Sequence, residues 1–129
     1  MHVIICKQAS VFFYNTIYRM TLKSPQLVVA QYKYEAERLV ADLKGNNAVS
    51  DLDKALLLHD RIAVMCEFDL GDETGSVDDE AFNGYGVFLK RKAVCHGYSE
   101  AYDYLLELVG IKSELCRSVA LNHTWNIIT

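Results

Sequence analysis

The sequence predicts an α+β domain in which helices come first and an antiparallel sheet comes last. Three observations carry this. Tyr98, Ala101, Tyr102, Leu105, Leu106 and Val109 recur at three- and four-residue steps, the period of one helix face, and Gly110 stands where such a helix commonly ends. Upstream, Ser50-x-x-Asp53 opens a second apolar run that continues to Cys66, a helix-start pattern with aspartate in place of the usual glutamate. After Gly110 the spacing changes. Residues 112–120 alternate roughly, with Leu115 and Val119 on one parity and Cys116 and Ala120 on the other. Leu121-Asn122 then makes a turn into a second strand beginning at His123.

Composition narrows the function classes. At 129 residues the chain is one domain at most, long enough for a core. Half the residues are hydrophobic (51%) and charges of both signs are interspersed, a globular rather than disordered composition. A formal net charge of −4 gives no electrostatic reason to expect binding to nucleic acid or an anionic membrane. No apolar run approaches the length of a membrane span. Val3-Ile4-Ile5 is too short for an export signal and lacks a basic flank, which leaves the compartment open. The four cysteines, at 6, 66, 95 and 116, show no C-x-x-C spacing, so neither a disulfide framework nor a zinc site is indicated, and no cofactor is expected.

The first third of the chain carries no evident chemistry. Residues 11–22, V-F-F-Y-N-T-I-Y-R-M-T-L, read as a strand whose better core face is Phe12, Tyr14, Thr16, Tyr18, Met20 and Leu22. Ser24-Pro25 starts a helix that ends near Lys44-Gly45, with Leu27, Ala30, Tyr34, Leu39 and Leu43 apolar along it. Residues 1–49 are thus a strand and a helix, a packing element or the remnant of a preceding region, and 50–129 hold the functional part. In the helix from Asp51, the stripe Leu52, Ala55, Leu56, His59, Ile62, Ala63 and Cys66 places His59 in or beside the core as a hydrogen-bonded residue. Residues 70–83 form an acidic loop. Their carboxylates lack the order of a calcium-binding EF-hand loop and read as solvated.

The chemistry concentrates around Cys95. Opening a buried helix, this thiol meets unpaired N–H groups and the positive end of the helix dipole, which favour a thiolate. Gly97 leaves the backbone thinly covered. Free cysteine is equally a small hydrophobe, so a nucleophile needs a base. His123 supplies one candidate. Trp125 lies on the same strand face, while Asn126 points the other way. Lys90-Arg91-Lys92 either depresses the thiol's pKa or is a solvated turn.

V-C-H-G-Y-S-E-A-Y-D-Y-L-L-E-L-V-G-I-K-S-E-L at 94–115, followed by H-T-W-N at 123–126, resembles the core of the transglutaminase-like superfamily, with its papain-like Cys-His-Asp arrangement. The likeness extends upstream through S-D-L-D-K-A-L-L-L-H-D-R-I at 50–62, Glu67-Phe68-Asp69 and Tyr85-Gly86. It implies a cysteine-bearing helix packed on an antiparallel sheet. It also implies Cys95 as nucleophile, His123 as general base, and Tyr85, Gly86 and Trp125 lining the substrate site. The implied reaction is acyl transfer from a peptide or carboxamide through a thioester, with hydrolysis favoured over crosslinking. The substrate would be a peptide or protein.

The family's acidic third member lies on the strand after the histidine strand, beyond Thr129. The expectation is therefore a domain truncated before that residue, with weakened activity and an incomplete sheet whose edge invites a homodimer. A longer parent of this type would be secreted or at the cell surface. The competing expectation is a non-catalytic peptide- or protein-binding domain of the same fold.

Overall fold

The computed structural model describes residues 25–129, so the strand expected at 11–22 and Cys6 lie outside the described residues. The described chain is mixed helix and strand, with two small sheets. Helices α1 (Pro25–Val40), α2 (Asp51–Met65) and α3 (Cys95–Leu108) supply most of it. Strands β1 (Glu67–Phe68) and β2 (Lys92–Ala93) pair in parallel, and β3 (Ser113–Ser118) pairs antiparallel with β4 (His123–Ile128). Between β1 and β2 the chain makes a 3₁₀ turn, Asp79–Phe82, and a π-helical turn, Gly86–Lys90.

Helix α2 begins where Ser50-x-x-Asp53 places it, but the box is closed differently. Ser50 Oγ accepts from Asp53 N at 3.1 Å and donates to Asp53 Oδ2 at 2.6 Å, so the carboxylate is used on the hydroxyl. Replacing Ser50 by alanine is expected to cost about 1 kcal/mol, read as a shift in the urea midpoint without a change in slope. An unchanged midpoint would show that the cap contributes nothing.

The core is built on α3. Ala101, Leu105 and Leu106 are fully buried against Tyr32, Ala36, Leu39, Val40 and Leu43 of the α1 segment, Ala55, Leu58 and Ile62 of α2, and Val87 and Phe88 of the π-turn. Two half-buried tyrosines stitch α3 to α2 with their polar ends, as buried phenols require. Tyr98 donates to Cys66 O at 2.5 Å and Tyr102 to Ala55 O at 2.8 Å. Helix α3 ends in a Schellman motif. Ile111 N donates to Leu106 O, Gly110 N donates to Glu107 O, and Gly110 takes a φ of +81°.

Two helix faces differ from the sequence expectation. In α1 the buried positions are Tyr32, Ala36, Leu39 and Val40, while Leu27 and Tyr34 face solvent. In α2 the buried face is Lys54, Ala55, Leu58 and Ile62; Leu52 and Leu56 are exposed. His59 goes outward with them, hydrogen bonded among the described residues to its neighbour Asp60 at 3.0 Å, and is not a core residue. The physical reason is crowding of choices: Leu52, Leu56, Leu57 and Leu58 offer more than one apolar stripe, and packing against α3 selects the one containing Leu58.

Candidate active site

Cys95 occupies the first position of α3, as its sequence context predicts. Residue Val94, at the N-cap, has an extended backbone (φ −97°, ψ 177°) and no side chain that can cap. The first N–H groups of an α-helix have no intrahelical partner. With valine at the cap, the amides of the first turn have no side-chain acceptor among the described residues, beside a half-buried thiol. A serine, threonine or aspartate cap would have consumed one of them.

The other half of the site is placed by Ser99. This residue stands four positions after Cys95, one turn further along the same helix face. Ser99 Oγ donates to Thr124 O at 3.1 Å, and Ser99 O accepts from Asn126 Nδ2 at 3.0 Å. Strand β4 is thereby fastened across the first turns of α3, with Thr124 buried and Asn126 turned inward. His123 is the residue next to Thr124, at the start of β4. Its imidazole is solvent-exposed and lies flat on Trp125, ring centroids 5.9 Å apart and 18° from parallel. Strand alternation explains this: Thr124 and Asn126 face the helix, and His123 and Trp125 face the other way. Among the described residues, no hydrogen bond joins Cys95 to His123.

The remaining sequence candidates fall in one segment. Gly86 is buried, wedged so tightly that a Cβ on it would lie 2.6 Å from Lys92 O and 2.7 Å from Glu80 O. Tyr85 is half-buried, with the Lys90 ammonium 5.8 Å from its ring centroid. The basic run is not aimed at the thiol. Lys90 pairs with Glu80 at 3.1 Å, Arg91 with Glu35 at 2.9 Å and Lys92 with Asp69 at 3.1 Å. In the acidic loop Asp72 Oδ1 accepts from Thr74 N, Thr74 Oγ1 and Ser76 N, so this carboxylate folds its own turn. Among the described residues no group of three or more His, Cys, Asp and Glu is placed to hold a metal ion. Nor is any helix among them long and apolar enough to cross a membrane.

Two groups near the cysteine were not singled out by sequence. His96 is half-buried, and burial, reinforced by the positive charge of Arg117, pushes its imidazole below the ordinary value. Glu100, the residue after Ser99 on α3, is half-buried and accepts from Gly84 N at 2.9 Å. Burial pushes its carboxyl up to about 7, the Gly84 N–H opposing this and Asp103 adding to it. Next to Gly84, Asn83 is buried; its Oδ1 accepts from Tyr85 N, while its Nδ2 has no hydrogen-bond partner among the described residues. Cys66 is buried and its pKa is raised by that burial, and Cys116 sits half-buried in β3 opposite Trp125.

No family model matches the chain, and no curated protein matches it.

Proposed function

We propose that this chain is a transglutaminase-like, papain-related domain that transfers acyl groups from peptides or carboxamides through Cys95 and His123, with water as the favoured acceptor. One observation carries the reading. Cys95 opens a helix whose first-turn amides have no side-chain cap, and the strand bearing His123 is fastened to the same helix face one turn along. In this reading Cys95 attacks the carbonyl carbon. The tetrahedral oxyanion takes hydrogen bonds from first-turn N–H groups, including that of Cys95. His123 accepts the thiol proton and returns it to the leaving amine, and water then cleaves the thioester. Because His123 faces away from α3, its action as base in this reading requires a rearrangement of the start of β4 that takes the imidazole off Trp125 and turns it toward Cys95. The H-x-W-N and V-C-x-G-Y motifs support the same assignment.

The test is site-resolved alkylation with iodoacetamide, read by mass spectrometry on the intact fold. Cys95 is expected to react at least about tenfold faster than Cys116, as activated thiols do. Buried Cys66 is expected to be slowest, and His123→Ala to remove the advantage of Cys95. Equal rates at Cys95 and Cys116 would overturn the reading.

A second reading has its own observation. The exposed His123 stacks on the half-buried Trp125, a platform suited to an extended peptide, with no hydrogen bond to Cys95 among the described residues. A non-catalytic peptide-binding domain would use that face. It predicts saturable peptide binding lost in Trp125→Ala, with no acyl transfer to Cys95.

A further inference from the structure

The segment from Ala81 to Gly86 is held between α1 and the cysteine helix by contacts that leave it almost no freedom. Ala81 O accepts from Val94 N at 3.0 Å, which fixes the residue immediately before Cys95. A Cβ on Gly97 would lie 2.4 Å from Ala81 O and 2.9 Å from Asn83 O, so the segment lies directly on the first turn of α3. A Cβ on Gly84 would lie 2.6 Å from the Tyr32 hydroxyl, so α1 closes the other side. The bond from Gly84 N to the Glu100 carboxylate is the only one among the described side-chain hydrogen bonds that ties this segment to α3.

We propose that Glu100 is a positioning residue: its carboxylate latches Gly84, holds the Ala81–Gly86 segment against the start of the cysteine helix, and loosens that hold when it takes up a proton. The groups bearing on Glu100 are few. Asp103 lies one turn along α3 and is itself bonded by the Ser113 hydroxyl of β3. Tyr32 comes from α1, with Tyr104 beside it. The Ala81–Gly86 segment contributes the Gly84 N–H, and from β3 Arg117 acts on His96. Among the described residues none of the groups acting on Glu100 is a cation, and its carboxylate accepts from the Gly84 amide. A carboxylate accepts more strongly than a carboxylic acid, so the latch is tight when Glu100 is charged and slack when it is neutral. With the carboxyl pushed up to about 7, the change falls within the physiological range.

The latch stands on its own geometry, whereas its effect on Cys95 rests on the proposed role of that thiol. The experiment separates them. In the full-length chain labelled with ¹⁵N, the Gly84 amide is expected to titrate with a midpoint near 7, and the transition is expected to vanish in Glu100→Gln, which keeps an acceptor but no ionisation. A Gly84 amide that is flat with pH, or that titrates unchanged in Glu100→Gln, overturns the latch. The ratio of wild-type to Glu100→Gln alkylation rates at Cys95 is expected to step about threefold across the same midpoint, the size of a modest hydrogen-bond difference. A titrating Gly84 with a constant ratio overturns the link to Cys95. If the rate steps but no amide or ester is turned over, the latch holds and the acyl-transfer reading fails.

The sign of the stability effect adds an independent check. A carboxyl raised in the folded state stabilises the fold fully below its unfolded value and loses that contribution as pH rises through about 7. Glu100→Gln is therefore expected to melt several degrees above wild type at pH 8 and to coincide with it near pH 4. Equal melting at both pH values would overturn the assignment.

Discussion

Replacing Gly97 by alanine is expected to destabilise the domain by about 3 kcal/mol, the upper part of the range for overpacking a tight site. Within a helix the exchange would ordinarily gain up to about 1 kcal/mol from propensity. Here the new methyl would lie 2.4 Å from Ala81 O and 2.9 Å from Asn83 O. Both are backbone atoms and neither can rotate aside. Ala81 also accepts the Val94 amide, so moving it disturbs the start of the cysteine helix. Gly110→Ala is the control. That glycine has nothing within 4 Å but a φ of +81°, so its cost is backbone strain alone, about 1 kcal/mol. Urea unfolding of both variants decides the point. If Gly97→Ala is no worse than Gly110→Ala, the close approach of the two segments is wrong, and the latch argument weakens with it. Reactivity at Cys95 should fall in Gly97→Ala even under conditions where the variant remains folded.

What could be read from the sequence follows from the range of the interactions involved. Helix α3 was legible because its stripe, its opening cysteine and its Gly110 stop are all local signals. The hairpin of β3 and β4 was legible for the same reason, through alternation and the turn at Leu121-Asn122. The buried face of α2 was not. Its leucines satisfy two stripes, and only contact with α3 chooses between them. Tyr32, rather than Tyr34, enters the core because Phe88 meets it edge-on, ring centroids 4.8 Å apart, across some fifty residues of chain. The pairing of Lys90, Arg91 and Lys92 with three separated carboxylates is equally non-local. So is the bond between Gly84 and Glu100. The candidate site divides the same way: its cysteine and histidine stand in short local patterns, while the segment packed on the start of the cysteine helix shows only as glycines whose close neighbours are distant in sequence.

Cys95→Ser is expected to lower acyl transfer by three or more powers of ten, the scale on which removing a nucleophile acts in such sites. The probe is a p-nitrophenyl acyl ester, followed by a peptide carboxamide. Serine preserves size and the helix start, so the loss would be chemical rather than structural, and circular dichroism would show the fold retained. His123→Ala should cost less, about two to three powers of ten, because a thiol keeps intrinsic nucleophilicity without its base. Its rate should approach that of wild type as pH rises and hydroxide ionises the thiol unaided. Mass spectrometry of the quenched wild-type reaction should find the acyl group on Cys95. An acyl group on Cys116, or a Cys95→Ser variant as fast as wild type, would rule out the proposed nucleophile. Adding a primary amine then separates the two outcomes of one thioester. Unchanged release of the carboxylic acid marks a hydrolase, whereas diversion into the amide marks a crosslinking enzyme. Hydrolysis is the expected result, because water needs no acceptor pocket.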